Sequence, residues 1–370
     1  MVKRRVGVLG ATGLVGQQYV RLLSGHPFFE LIYLAASSVS AGKKYSAALR
    51  EKGRPLDGIS SKVLDMTVFA VHDLEEARER CSLVFSALSS EAAKAYEAFY
   101  AAAGFQVISN AGHHRMDPDV PLIVPEINPD HLEIIPHQQQ QRGWTGSLIT
   151  KPNCSLQGFL IPLYPLHRKF GIKKVIVSTM QAVSGAGHPG ISSLDIIDNI
   201  IPFIPGEEEK SETEPLKILG TVQGGEICPI TGVDVSMHCN RVPVLDGHTA
   251  CVSVQFESKP TREEILTLWR EFRGVPQKLR LPSAPEQPIL YSDEEDRPQP
   301  RLDRDAGGGM AVTVGRLREC RVFDYRFVCL SHNVLRGAAK GGVLNAELLV
   351  ACASEGRDLK KSHTCLNMVN

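Results

Sequence analysis

The chain has 370 residues, with 41 Lys and Arg against 41 Asp and Glu, so it carries no net charge. It contains no block of five or six like charges, which argues against nucleic acid and an anionic membrane as partners and leaves small-molecule substrates. At this length two domains, each with its own core, and a cleft between them are expected.

The N-terminus, MVKRRVGVLGATG, starts with basic residues like an export signal, but its apolar run stops at glycines. No 18-residue apolar stretch occurs anywhere, so a soluble, cytoplasmic protein is expected. Nine cysteines without a CxxC pair fit neither a disulfide framework nor a zinc site. Reduced thiols are expected, and no metal is indicated.

In chain order, RRVGVLG reads as a strand, ATGLVGQQYVRLLSG as a glycine turn and helix, and FELIYLAAS as a second strand. CSLVFSALS, the Ala-rich EAAKAYEAFYAAAG and FQVISNAG continue the alternation, which predicts a parallel, doubly wound, Rossmann-like sheet. Residues 131–147, with four consecutive Gln, read as an exposed loop. From about residue 172 the alternating stretches KKVIVSTMQAV, HTACVSVQFES, MAVTVGRLREC and FDYRFVCLS predict an antiparallel, partly solvent-facing sheet in a second, α+β domain. Residues 283–309, rich in Pro, Gly and charge, read as another exposed loop, and NVLRGAAKGGVLNAELL as a closing helix that packs back on the first domain. The expected division is 1–152 plus about 333–370, and 153–332.

Gly10, Gly13 and Gly16 stand between a strand and a helix that would begin near Leu14, where backbone amides and the helix dipole could receive a pyrophosphate. The same glycines would also suit an ordinary tight turn. The carboxylate that usually meets the ribose after the second strand is missing. Ser37, Ser38, Ser40, Lys43 and Lys44 stand there instead, which suits the extra phosphate of NADP better than NAD.

Cys154, in KPNCSLQGF, precedes an apolar, helix-compatible run, where a helix N-terminus would lower a thiol pKa. A buried, inert cysteine is the alternative. Arg241 and His248, in RVPVLDGH, lie around a turn at Asp246 and Gly247, and one hairpin-like segment could supply both an anion-binding fork and an imidazole that moves protons. A surface histidine and a strand salt bridge are their alternatives.

The ordered set GATGLVGQ, NAGHHRMDPDVPLIVPEIN, PNCS, QAVSGAG, EEEK and RVPVLDGH closely resembles the aspartate-semialdehyde dehydrogenase family over the whole chain, in its archaeal and fungal branch. The resemblance implies a Rossmann-like NADP domain, a catalytic and dimerisation domain, and a homodimer or homotetramer. It implies reduction of β-aspartyl phosphate to aspartate semialdehyde and phosphate through a Cys154 thioester, on the route to threonine, methionine and lysine. His248 matches the acid/base residue, Gln181 the residue that orients the acyl group, and Arg241 the α-carboxylate ligand. Arg115, Lys210 and Asn153 match phosphate ligands, and Glu208 is taken for the amino group. For the cofactor the matches are Thr12, Gly13, Val15 and Gly16, the serines after the second strand, Ser184, Gly185, Asn333 and, more weakly, Ser89. Val39 departs from the pattern, standing where many members carry an arginine beside the 2′-phosphate. The resemblance also overrides two readings from composition, the solvated acidic loop EEEKSETEP and disorder in RPQPRLDRD. The rival readings are a CoA-thioester reductase such as malonyl-CoA reductase, N-acetyl-γ-glutamyl-phosphate reductase and a catalytically dead NADP-binding regulator.

Overall fold

The structure, a computed structural model, describes residues 2–354. Strand β1 (Arg4–Leu9) leads through a glycine turn into the Leu14–Leu23 helix and back to β2 (Phe29–Ala36). The sheet continues with β3 (Val68–Ala70), β4 (Leu83–Ser86), β5 (Gln106–Ser109) and β6 (Ser147–Thr150). All six strands are parallel, in the order β3-β2-β1-β4-β5-β6. Apolar cores lie on both faces, which is why β1, β4 and β5 read as short continuous apolar runs. The order reverses between β1 and β4, and the Gly10 turn sits at the carboxyl end of that switch point, where such sheets bind ligands.

The second domain contains β7 (Ile172–Gln181), a small hairpin of β8 (Thr221–Gln223) and β9 (Glu226–Cys228), then β10 (Asp234–Arg241), β11 (His248–Phe256), β12 (Ile289–Ser292), β13 (Val312–Glu319) and β14 (Tyr325–Ser331). Its main sheet has the order β10-β7-β11-β14-β13-β12. The expected antiparallel sheet is in fact mixed: β10 runs parallel to β7, and β12 parallel to β13. A parallel neighbour needs a crossover, and between β7 and β10 the chain supplies one through the Glu207–Ile218 helix. The Leu156–Phe170 and Arg262–Glu271 helices pack on one face. The other carries exposed side chains such as Ile176 and Cys251.

Residues 131–147 are not a loop: they finish a 3₁₀ turn (Pro129–Ile134), form a helix (Ile135–Arg142) and enter β6. Composition misread the Gln run because an amide can replace a strand neighbour. Gln138 is fully buried, donates to the carbonyls of Asp119 and Leu148 at 3.0 Å each, and accepts the Leu148 N–H at 2.9 Å, closing the free edge of β6. Residues 283–309 hold β12 and a helical turn (Pro300–Asp303), tied down by Arg297 donating to Asp303 at 2.7 Å. The acidic stretch is the Glu207–Ile218 helix, whose buried stripe of Glu207, Ser211, Glu214 and Lys217 is polar, so hydrophobic periodicity could not reveal it.

The closing helix, Ala339–Ser354, returns to the first domain. His26 meets Glu347 at 2.8 Å, and Gly342 lies so close to Tyr19 that a Cβ there would stand 1.9 Å from its hydroxyl. The rest of the expected closing segment, 355–370, lies outside the described residues. The first core also takes in Val275, Leu281 and Met310 from the middle of the chain. Among the described residues no helix is long and apolar enough to cross a membrane, and all eight described cysteines are free thiols.

Arg336 and Glu126, both 0% exposed, form a bidentate pair at 2.8 and 2.5 Å between the returning segment and the first domain. Removing one member of such a pair strands the other charge in the interior. Arg336→Met is expected to lose about 3–5 kcal/mol of stability, measured by denaturant unfolding, with part recovered in the Arg336→Met/Glu126→Gln double variant. An unchanged midpoint for the single variant would rule out this role.

Candidate active site

Three strand ends and one helix start build the site. β6 ends at Thr150, and Lys151, Pro152 and Asn153 carry the chain to Cys154, immediately before the Leu156–Phe170 helix. Gln181 closes β7, Arg241 closes β10 in register with it, and His248 opens β11 at the same end of the sheet. Arg241 and His248 therefore do not share a hairpin: β7 lies between their strands, and residues 242–247 arch over its end. Cys154 Sγ stands 3.3 Å from His248 Nε2. Asn153, Cys154, Gln181, Gly185, Glu207 and Arg241 line a cleft of about 360 Å³.

Backbone and side-chain bonds hold these groups rigidly. The Ala182 N–H donates to His248 Nδ1 at 3.0 Å, and the Ala182 carbonyl accepts from Arg241 Nη1 at 2.8 Å. With Nδ1 occupied as an acceptor, the neutral imidazole keeps its proton on Nε2 and presents it toward the sulfur. Asn153 donates from Nδ2 to Glu207 at 2.8 Å and from its backbone N–H to Glu214 at 2.7 Å. Asn333 accepts the Gly247 N–H and donates to Ser184 Oγ, both at 2.8 Å, fixing the turn before His248 against the Ser184 loop.

Burial dominates the electrostatics. It pushes the Cys154 thiol up to about 11, with Glu207 adding to the rise and Lys151, Arg115 and Arg241 opposing it. This overturns the expectation of a lowered thiol pKa, because desolvation outweighs the helix N-terminus. Burial also pulls the His248 imidazole down to about 3, helped by Arg241 and His332. The substrate-free pair is thus neutral across the physiological range. The fully buried Lys151 is brought down to about 7 by burial and then by Arg115.

Residues 5–135 match the family model for the semialdehyde dehydrogenase NAD-binding domain, and residues 163–336 that for the semialdehyde dehydrogenase dimerisation domain. The chain is 48% identical to the aspartate-semialdehyde dehydrogenase of Methanothermobacter thermautotrophicus, over 93% of this chain and 98% of that one. The fold superposes on the crystal structure of the Candida albicans enzyme with NADP at a TM-score of 0.86 and 44% identity, covering 95% of this chain and 99% of that one. Against Vibrio cholerae aspartate-semialdehyde dehydrogenase II with its ASA ligand the TM-score is 0.72 at 26% identity, over 95% and 99% of the two chains. The chain belongs to the aspartate-semialdehyde dehydrogenase family. Its higher identity to archaeal and fungal relatives agrees with the expected branch, and nothing in these comparisons supports a CoA-thioester reductase.

Within that family frame the expected residues divide. Cys154, Gln181, Arg241, His248 and Gly185 come together. Glu208 does not join them: it turns to the backbone of β10 and accepts the Cys239 N–H at 2.9 Å. Glu207, missed in the sequence, is the carboxylate that faces the cleft, and its place on one helix face with Ser211 and Glu214 was the available signal. Arg115 lies behind Asn153, paired with Glu214 at 2.9 Å and bonded to the Asn110 carbonyl at 2.8 Å, with a buried Nε left unpartnered. Lys210 is exposed, with Nζ 3.6 Å from where a Cβ on Gly206 would stand.

Of the expected cofactor residues, the glycines of the first turn have the geometry that a bound phosphate requires. Gly10 has φ +76°, and a Cβ on Gly16 would stand 2.1 Å from the Gly10 carbonyl, so only glycine leaves the turn open to a phosphate. Gly13 caps the helix that begins with Leu14 and Val15. Leu14 and Ser184 face each other across a second cleft, of about 400 Å³. Ser37 and Ser38 are exposed, whereas Ser40 is buried and offers a ligand no surface. Ser89 caps the Ser90–Ala102 helix, accepting the Ala92 N–H at 3.3 Å.

A Cβ on Gly185 would lie 2.7 Å from Arg241 Nη1 and 3.2 Å from His248 Nε2. Gly185→Ala is expected to lower kcat/KM about a hundredfold with little change in melting temperature, and near-normal turnover would contradict the packing. In the substrate-free protein, alkylation of Cys154 by iodoacetamide is expected to climb steadily from about pH 7 to 10 without a plateau near neutrality. Glu207→Gln removes a charge that raises the thiol, so its rate–pH profile should move to lower pH; a profile that stays or moves up would show that Glu207 does not act on Cys154.

Proposed function

We propose that this cleft carries out the NADP-dependent, reversible conversion of β-aspartyl phosphate to aspartate semialdehyde and phosphate, a step of amino-acid biosynthesis that leads to threonine and methionine. The observation that carries the reading is the Cys154–His248 contact of 3.3 Å with Arg241 and Glu207 across the same cleft. Arg241 holds the substrate α-carboxylate as a planar fork, and Glu207 meets the α-amino group. A CoA thioester without an α-amino group brings no ammonium to that buried carboxylate, whose partner is Asn153, so the site favours the amino-acid substrate.

The sulfur of Cys154 attacks the acyl carbon as thiolate, its proton passing to a phosphate oxygen; a C–S bond forms, the acyl C–O bond breaks, and phosphate leaves carrying that proton. The ammonium that substrate brings to Glu207 offsets the charge that raises the thiol, so binding favours the thiolate. Asn153, Arg115 and Lys210 serve the phosphate, with Arg115 and Asn153 sharing Glu214 and Lys210 swinging in from the rim. Gln181 orients the thioester. NADPH, held at the Gly10–Gly16 turn, supplies hydride to the thioester carbon when bound. As the acyl oxygen gains charge, His248 donates a hydrogen bond to it from Nε2 and keeps the proton; when the C–S bond breaks, the aldehyde departs and the Cys154 thiolate regains a proton from water. Residues 1–152 with the returning segment from about 333 hold the cofactor, and 153–332 carry the chemistry and the contact between subunits. The dimerisation-domain match and the exposed side chains on the second sheet support a homodimer or homotetramer. The free thiols of the described chain fit a cytoplasmic setting.

The test is reduction of NADP by purified protein given aspartate semialdehyde, with and without phosphate. Turnover should require phosphate and vanish in Cys154→Ala, and Lys210→Ala should mainly raise the phosphate KM. Glu207→Gln should raise the aspartate-semialdehyde KM far more than Glu208→Gln does. A folded, NADPH-binding wild type with no turnover would end this assignment.

A further inference from the structure

The adenosine 2′-phosphate needs a cation near the end of β2, because the ribose of a dinucleotide lies between the glycine turn and that strand end. Val39 occupies the place where an arginine would serve, with an apolar side chain 70% exposed. The two neighbouring lysines are already engaged: Lys43 pairs with Glu51 at 2.5 Å and Lys44 with Asp65 at 2.9 Å. Both must give up a carboxylate before they can serve a phosphate.

Lys52 is placed differently. It follows the Tyr45–Glu51 helix, and its Nζ reaches back 3.1 Å to Thr12 Oγ1 in the middle of the glycine turn. Among the described residues it makes no ion pair. The loop beyond it is clamped over the first helix, since Arg21 donates to the carbonyls of Asp57 at 2.9 Å and Pro55 at 3.4 Å. The same turn is joined to β2 by the Ala11 N–H donating to the Ala35 carbonyl at 3.0 Å, one residue before Thr12 on the turn and two before the exposed Ser37 on the strand side. Two residues on, Arg54 has a buried Nε with no partner, so a second cationic group beside this loop also lacks part of its hydrogen bonding.

We infer that Lys52, with Ser37 and Ser38, is the specificity determinant for the cofactor's 2′-phosphate and takes over the task that Val39 cannot perform. The inference rests on the dinucleotide reading of the Gly10 turn. A compact ammonium that already reaches the turn's hydroxyl needs only a small swing to meet a phosphate oxygen, and it carries no internal carboxylate to release. The chain thus keeps NADP selectivity without an arginine after β2, with the cation supplied from the far end of the next helix.

Binding of 2′,5′-ADP and 5′-AMP, measured by calorimetry at low and moderate salt, isolates this one phosphate. The wild type should prefer 2′,5′-ADP. Lys52→Ala should weaken 2′,5′-ADP about tenfold and leave 5′-AMP unchanged, Lys52→Arg should recover most of the loss, and NADP against NAD should show the same split. Equal losses on both nucleotides, no loss on 2′,5′-ADP, or a loss in Lys43→Ala with Lys52→Ala unaffected would overturn the inference. If the wild type binds neither nucleotide, the dinucleotide reading itself fails.

Discussion

The Ala182 peptide holds two side chains of the candidate site at once, its N–H on His248 Nδ1 and its carbonyl on Arg241 Nη1. This works because β7 lies between β10 and β11, so that the residue after Gln181 emerges between the end of one neighbour and the start of the other. A side chain would rotate; a peptide fixed by the flanking strand does not. The imidazole is thereby locked in both ring orientation and tautomer, and the guanidinium keeps its remaining donors for the cleft. The position of Cys154 at 3.3 Å completes the arrangement, since the opposing helix start comes from the first domain's last strand rather than from this sheet.

The environment around that arrangement is dry. Desolvation outweighs the attraction of Lys151, Arg115 and Arg241 for the thiolate and outweighs any stabilisation of an imidazolium. The resting site is therefore closer to a neutral donor–acceptor pair than to an ion pair, and charge enters with the substrate. Glu207, held by Asn153 Nδ2, adds to the rise of the thiol as a carboxylate. In the proposed reaction the substrate ammonium offsets that charge, so occupancy favours the thiolate.

The two domains are joined where the chemistry needs them joined. Asn333 ties the turn before His248 to the Ser184 loop, Arg336 pairs with Glu126 in the interior, and a Cβ on Gly337 would stand 2.8 Å from that of Cys154. These contacts all come from the segment that leads out of β14 into the closing helix, so the helix that seals the cofactor domain also fixes the nucleophile's surroundings. The cleft lined by Leu14 and Ser184 also takes in His332, Val334 and Leu335 from this seam.

The sequence by itself determined the βαβ opening, the glycine turn, the change of texture near β7 and the closing helix, and it singled out Cys154, Arg241 and His248 as candidates, with Gln181 added by the family resemblance. Each of these is written in local pattern: period-two or continuous apolar runs, glycines that a turn requires, and short motifs. What only the tertiary structure decided was anything whose partner is distant in the chain. Glu207 and Glu208 are adjacent and chemically alike, and the rotation of one helix against β10 alone selects between them. Gln138 reads as solvent-loving until an unpaired edge strand uses its amide as a neighbour. The thiol pKa follows from how much water the assembled cleft excludes, and the cation near Thr12 from which lysines have already found carboxylates. Burial and long-range pairing are properties of the folded surface, and a linear pattern records them only where they repeat with the period of the element that carries them.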